Sequence, residues 1–424
     1  MLLKTVTEKA RETAIIVGII RPDQDRQVIN EYLDELELLA DTAGADVVER
    51  VVQERQRLDA AFLLGHGKVE ELANMVKYLD ADLIIFDDDL SPAQVKNIES
   101  LCKTKILDRS GLILDIFAKN ARTREARTQV ELAQLNYMLP RLTRQWTHLS
   151  RQVGGIGVRG PGETQLEVDR RLIRRRISVL EKELEKISKQ RSNRRKNRSD
   201  IFKAALVGYT NVGKSTLLNA LTDAAVLVED RLFATLDSTI RAVELVDHRR
   251  ILLIDTVGFI RKLPHHLVAS FQSTLEEAVE ADMLLHVIDI TSPTFREQMH
   301  TVDTVLHELK IDNKPILKVF NKIDILDDRT LLAEVKAAEQ PCVLISAERG
   351  IFLNDLREKL LEFVQEQVCE MTVLLPIQAT KIISQLHDLA DVLNIQYKDS
   401  KAVIDLKTNA ENQKRIEQLI ALTN

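Results

Sequence analysis

The stretch KAALVGYTNVGKSTLLNAL, residues 203–221, constrains this chain more than any other. An apolar strand runs into a glycine turn and then into an amphipathic helix, and Gly208 to Ser215 satisfy G-x-x-x-x-G-K-[ST]. Glycines let backbone N–H groups converge on phosphate oxygens, and the helix N-terminus adds positive potential. Lys214 can reach the β and γ oxygens, and Ser215 can supply a hydroxyl to Mg²⁺. With the strand before it and the helix after it, the pattern predicts an α/β P-loop domain.

Further pieces follow in the order that a nucleotide triphosphatase needs. FATLDST (233–239) offers Thr235 and Thr239 to Mg²⁺ and the γ-phosphate, with the choice between them open on spacing alone. RILLID (250–255) places Asp255 at a strand end, where it can hold the Mg²⁺ shell through water, and Gly258 can offer its N–H to the γ-phosphate. Asn321, Lys322 and Asp324 form N-K-x-D. A carboxylate at Asp324 accepts the N1–H and exocyclic amine of guanine; adenine would leave it unpaired. Ser346, Ala347 and Glu348 follow another strand and suit a loop whose backbone touches the guanine oxygen. The expected nucleotide contacts are therefore Gly208, Tyr209, Thr210, Asn211, Val212, Gly213, Lys214, Ser215 and Thr216 in the phosphate loop. Phe233, Ala234, Thr235, Leu236 and Asp237 come next, then Asp255, Thr256, Val257 and Gly258, then Asn321, Lys322, Ile323 and Asp324. Lys214 and Gly258, with Thr235 or Thr239, are assigned to catalysis of GTP hydrolysis to GDP.

Many such enzymes place a glutamine after the D-x-x-G glycine to orient the attacking water. Here that residue is Phe259, which can neither donate nor accept a proton. The water is then placed by backbone or by a partner's group, or charge is supplied by a K⁺ ion bound through Asn211. Slow intrinsic hydrolysis and acceleration by a partner are expected.

The chain of 424 residues carries a net charge of −6, which excludes a uniformly basic protein but leaves room for a local patch. Cys102, Cys342 and Cys369 lie far apart without metal-ligand spacing, which fits a reducing compartment. Charges interrupt the N-terminal apolar run before it reaches signal-peptide form, and no apolar stretch approaches the ~20 residues of a membrane span. A cytoplasmic monomer is expected.

The pattern divides the chain into an N-terminal α/β domain (1–120), a basic helical hairpin (121–198), a nucleotide domain (199–366) and a small α+β appendage (370–424). AIIVGII (14–20) and DLIIFDD (82–88) read as buried strands of a mostly parallel sheet, with helical spacing over 27–42 and 67–79 and a helix start at Ser91-Pro92. Leu132, Leu135, Leu139 and Leu142, then Ile173, Ile177, Leu180, Leu184 and Ile187, form stripes that predict two antiparallel helices, the first kinked at Pro140. The glycine-rich loop 152–164 joins them. RRLIRRR (170–176) and RSNRRKNR (191–198) concentrate positive charge there, with Arg151 and Arg159 at the tip, as RNA contact requires. Trp146 can stack on a base or pack inside the hairpin. The appendage reads strand, helix over KIISQLHDLADVL (381–393), strand, helix.

GGIGVRGPGETQLEVDRR, ARTREARTQVELAQLNYMLPRL, GYTNVGKSTLLNAL, LFATLDSTIR, DTVGFIRKLP and FNKID together resemble the HflX family of ribosome-associated GTPases. The resemblance covers most of residues 10–366. It implies an N-terminal α/β domain, a helical hairpin that projects toward the peptidyl-transferase region, and a G domain with a hydrophobic residue in the glutamine position. It also implies binding to the 50S subunit and splitting of stalled 70S ribosomes under stress. Its pattern favours Ser215 and Thr235 for Mg²⁺ over Thr239. DST (237–239) stands where the family usually has D-P-T, and SAE (346–348) where it has S-A-K. The alternative reading is a nucleotide-gated anti-association or RNA-binding factor, with a separate ATP-dependent activity of the N-terminal domain. Gly65-His66-Gly67-Lys68 can hold an anion for that activity or serve as an ordinary helix cap.

Overall fold

The protein was analysed as a computed structural model. It describes residues 11–142, 165–195, 201–222, 232–233, 238–246, 249–262, 277–311, 313–326, 329–366, 368–376, 379–398 and 401–409, with parts of 413–420. Ala234, Thr235, Leu236 and Asp237, the loop 152–164, Trp146, Arg151, Arg159 and residues 196–198 lie outside the described residues.

The β-branched run expected near the start forms β1 (Glu12–Ile20), buried from Ala14 onward. Such near-continuous apolar burial belongs to a parallel sheet covered on both faces. β2 (Ala45–Glu54) and β3 (Leu83–Phe86) flank it in parallel, β4 (Lys105–Asp108) lies beyond β3, and the order is β2-β1-β3-β4. The crossovers are α1 (Arg26–Ala43), α2 (His66–Leu79) and α3 (Pro92–Cys102), and α4 (Arg109–Asn120) follows β4. The start of α3 is a capping box: the Ser91 hydroxyl accepts from Gln94 N at 3.3 Å, and Gln94 Oε1 accepts from Ser91 N at 2.9 Å. Sequence reading missed β2, because its half-exposed ADVVERVVQE lacks the apolar continuity of β1.

Next come α5 (Arg124–Met138) and α6 (Gln165–Arg195), which pack together through buried Val130, Leu132, Val168, Ile173 and Leu180. Pro140 does not kink a longer helix; α5 stops at Met138 and Leu139–Arg141 tightens into a 3₁₀ turn. Proline removes an N–H and clashes with the preceding turn, and here the chain leaves the helix instead of bending it. Not all the arginines of α6 face outward freely. Arg176 pairs with Glu131 on α5 at 2.7 Å, while Arg174 and Arg175 are exposed.

The nucleotide domain is a six-stranded sheet of order β10-β9-β8-β5-β7-β6. Its strands are β5 (Lys203–Gly208), β6 (Thr239–Glu244), β7 (Arg250–Asp255), β8 (Met283–Asp289), β9 (Ile316–Asn321) and β10 (Cys342–Leu344). Among the described strands only the edge pair β6–β7 is antiparallel. Helices among the described residues include α7 (Lys214–Leu221), α8 (Phe295–Glu308), α9 (Arg329–Ala338) and α10 (Leu353–Glu366). β5 is central, so its carboxyl end opens at the crevice where parallel sheets bind ligands.

The appendage is an antiparallel sheet of order β11-β13-β12, built from β11 (Val368–Pro376), β12 (Asp391–Lys398) and β13 (Lys401–Asn409). The helix expected over 381–393 is shorter: α11 spans Thr380–Leu389, and the following residues enter β12. Val392 opposes Leu406 and Ile395 opposes Ile404, so cross-strand packing overrides the local helical spacing.

Candidate nucleotide site

At the end of β5 the chain turns through positions that most side chains cannot occupy. Gly208 has φ 151, and a Cβ there would lie 2.2 Å from the Val287 carbonyl oxygen. Gly213 has φ 93, and its Cβ would lie 2.4 Å from Asn321 Nδ2. Asn211, at φ 59, is a residue type that tolerates the left-handed region. Lys214 opens α7 with its side chain folded into the loop, where Nζ donates to Gly208 O at 3.1 Å and Tyr209 O at 2.6 Å. Burial pushes its pKa down to about 8, with Asp255 opposing the shift.

That shift has a measurable consequence. Phosphate oxygens favour the ammonium, so the bound-state pKa lies above the free-state value of about 8. Below that pH the charge is already present; above it, binding must take up a proton. GTP binding between pH 8 and 9 is expected to show proton uptake, with affinity falling as pH rises, when titrated calorimetrically in buffers of different ionisation enthalpy.

Ser215 Oγ donates to Asp255 Oδ2 at 2.6 Å, which brings the predicted hydroxyl and carboxylate together across α7 and β7. Thr256 is fully buried and donates to Leu206 O at 2.6 Å; with Val257, 7% exposed, its side chain supports the strand end. Gly258 stands directly on the P-loop, where a Cβ would meet Thr210 Cα at 2.8 Å and Lys214 Nζ at 3.0 Å.

Phe259 is turned away from the chemistry. It is 2% exposed and packs into a core with Val207, Ile254, Ala278 and Leu284. Its backbone faces the P-loop: Phe259 N donates to Gly208 O at 3.0 Å, and Thr210 N donates to Phe259 O at 2.7 Å. The place of the usual glutamine is thus held by main chain, while the side chain anchors it.

The base-recognition end is assembled as its motif requires. Asn321 Nδ2 donates to Val212 O at 2.9 Å, and its Oδ1 accepts from Ala347 N at 2.9 Å. One amide therefore ties the P-loop to the Ser346-Ala347 loop. Lys322 Nζ donates to Asn211 O at 3.1 Å and pairs with Asp289 at 2.7 Å. Asp324, with its side chain 14% exposed, is 3.8 Å from Arg349 Nε. Ser346 and Ala347 are buried, whereas Glu348, which stands in place of the usual lysine, is exposed.

The side chains of two further expected contacts reach the N-terminal domain. Phe233 packs edge-to-face on Phe117 of α4 at 4.7 Å between ring centroids, and its carbonyl accepts from Asn120 Nδ2 at 2.7 Å. The Tyr209 hydroxyl donates to Glu35 Oε2 of α1 at 2.5 Å and accepts from Arg261 N at 2.8 Å. Both side chains serve the junction with the N-terminal domain. That junction, built from Glu35, Asp87, Asp88, Arg109, Arg261 and Lys262, was missed in the sequence. The run DDD at 87–89 was its visible signal, since carboxylates crowded at a strand end need cations. As for Gly65 to Lys68, Gly65 caps α2 and Lys68 Nζ donates to Glu71 at 2.8 Å, so the lysine serves its own helix.

A phosphate loop, a D-x-x-G segment lying on it and an N-K-x-D end tied back to it define a P-loop guanine-nucleotide hydrolase. Family models agree over successive parts of the chain: a "GTP-binding GTPase N-terminal" region over 30–118, a "GTP-binding GTPase Middle Region" over 120–198 and a "50S ribosome-binding GTPase" over 203–322. A Flavobacterium psychrophilum protein named GTPase HflX is 48% identical over 84% of this chain and 91% of its own length. The Escherichia coli protein of that name is 45% identical over 90% of this chain and 89% of its own. A GTP-binding protein from Sulfolobus solfataricus, solved with GDP, is 27% identical, spans 84% of this chain and 99% of its own, and has a TM-score of 0.44. The chain belongs to the HflX family of GTPases. It hydrolyses GTP to GDP and phosphate. No helix among the described residues is long and apolar enough to cross a membrane.

Proposed function

We propose that this GTPase binds the 50S subunit and splits or rescues stalled 70S ribosomes in the cytoplasm, with hydrolysis accelerated by the ribosome. The observation that carries the reading is the pairing of a guanine-nucleotide site with a basic helical arm in a chain whose G domain matches a ribosome-binding GTPase model. Exposed Arg174 and Arg175 are suited to neutralising RNA phosphates. Buried Phe259 leaves no side chain there to orient water, which supports slow hydrolysis alone and stimulation by a partner.

Within the site, Lys214 neutralises β and γ oxygens, the Gly258 N–H faces the γ-phosphate, and Asp324 reads guanine. Ser215 Oγ and the Asp255 carboxylate, 2.6 Å apart, are hard oxygen donors that suit Mg²⁺. Ser215 and Thr235 would hold the ion directly and Asp255 through water. Bound Mg²⁺ would neutralise negative charge on the phosphates. A K⁺ ion near Asn211, whose side chain is exposed at the rim of the P-loop, would add charge where an arginine finger acts. Equal turnover in Na⁺ and K⁺ buffers with ribosomes present would remove the K⁺ element.

The test is light scattering of 70S ribosomes mixed with the protein and GTP, ATP or no nucleotide. Scattering is expected to fall with GTP alone. A variant with Arg174→Glu and Arg175→Glu is expected to need about tenfold more protein or more, since phosphate contacts are lost and reversed. Unchanged scattering under every nucleotide at low salt would sink the ribosomal role and leave the GTPase.

A further inference from the structure

With Phe259 turned into the core, the end of the D-x-x-G segment meets the nucleotide as main chain, and its accuracy depends on how that main chain is clamped. Two clamps are main chain as well: Phe259 N donates to Gly208 O at 3.0 Å, and Thr210 N donates to Phe259 O at 2.7 Å. They form a parallel bridge between Tyr209 and Phe259. The third clamp is a side chain. The Tyr209 hydroxyl, which belongs to the P-loop, accepts from Arg261 N at 2.8 Å, three residues beyond Gly258.

That hydroxyl is itself held. A free phenol rotates its O–H and can turn either its proton or a lone pair toward a neighbour. Here the proton is committed to Glu35 Oε2 at 2.5 Å, a bond of the stronger, charge-assisted kind. Glu35 pairs in turn with the buried guanidinium of Arg109. With its proton on Glu35, the oxygen is left to accept from Arg261 N. Tyr209 is 6% exposed, and burial raises the pKa of its phenol against the pull of Arg109, so the hydroxyl keeps its proton. A tyrosine that served the domain junction alone would need only the bond to Glu35. This one makes a second bond inside the nucleotide domain, on the segment that carries Gly258.

Gly258 stands on the P-loop, where a Cβ would lie 3.0 Å from Lys214 Nζ. Its N–H reaches a γ-phosphate held by Lys214 only while residues 258–261 lie against that loop. A misplacement of about 1 Å near reacting groups can cost ~10²-fold in rate.

We propose that Tyr209 is a positioning residue for GTP hydrolysis: its hydroxyl, oriented by Glu35, holds the main chain at Arg261 and so keeps the Gly258 N–H on the γ-phosphate. The proposal rests on the assignment of that N–H to the γ-phosphate and is independent of the ribosomal role. GDP has no γ-phosphate, so its binding does not depend on the clamp.

The test is single-turnover GTP hydrolysis by the full chain with Mg²⁺, with active sites counted by a fluorescent GDP. Tyr209→Phe removes one oxygen and keeps the buried ring. It is expected to lower the rate per active site about tenfold or more and to leave GDP affinity within about twofold. Glu35→Gln is expected to lower the rate by a smaller factor, because a neutral acceptor replaces a charged one, and to add nothing in the Tyr209→Phe background. A merely structural role would reduce the number of active sites or the melting temperature and leave the rate per site at the parental value. Gly258→Ala, whose Cβ would meet Thr210 Cα at 2.8 Å, displaces the segment directly and is expected to slow hydrolysis at least as far. A parental rate per site in Tyr209→Phe would overturn the proposal. With Gly258→Ala slow, the role of Tyr209 alone would fall; with both at the parental rate, the assignment of Gly258 to the γ-phosphate would fall with it. GDP affinity lost in step with the rate, or an additive loss in the double variant, would also overturn it.

Discussion

Asp324→Asn is expected to weaken GTP binding about 10³- to 10⁴-fold while the protein stays folded, because an amide offers guanine one acceptor where the carboxylate offers two. The amide also points an N–H₂ at the exocyclic amine of the base, so two donors face each other. Xanthine carries an oxygen at that position, and the variant is expected to bind xanthine nucleotides in place of guanine. Competition between GDP and XDP for a fluorescent nucleotide measures both effects. Retained guanine preference would show that base choice lies elsewhere. The side chain of Asp324 is 14% exposed and its ion-pair partner, Arg349, is 70% exposed, so the substitution disturbs little packing.

Lys214→Met is expected to lower the GTP hydrolysis rate by about 10²- to 10³-fold, the effect of losing one preorganised donor to developing charge. Methionine preserves most of the buried stem, so a loss of activity with an intact thermal transition separates chemistry from folding. The change does leave the carbonyls of Gly208 and Tyr209 without the ammonium they now accept from, at 3.1 and 2.6 Å. A fall of about 1–3 kcal/mol in stability is therefore expected beside the kinetic loss. Single-turnover hydrolysis at saturating GTP with ribosomes present, read beside thermal melting, checks both. A rate within tenfold of the parent would mean that Lys214 only binds.

What was legible in the sequence was local. Glycine at 208 and 213, lysine at 214 and N-K-x-D at 321–324 each carry their geometry within a few residues, through left-handed φ, a helix N-terminus or a strand end. The capping box at Ser91 and the β-branched core of β1 were legible for the same reason. The sequence by itself therefore determined a P-loop GTPase chemistry and an α/β frame to carry it. The tertiary structure decided the rest. It turned Phe259 into the core, set the side chains of Phe233 and Tyr209 against the N-terminal domain, ended α5 at Met138 and drew residues 391–398 into a strand. It also seated Lys262 on a carboxylate 175 residues away. Contacts of that separation depend on which faces the packed sheets present to each other, and no local spacing encodes them.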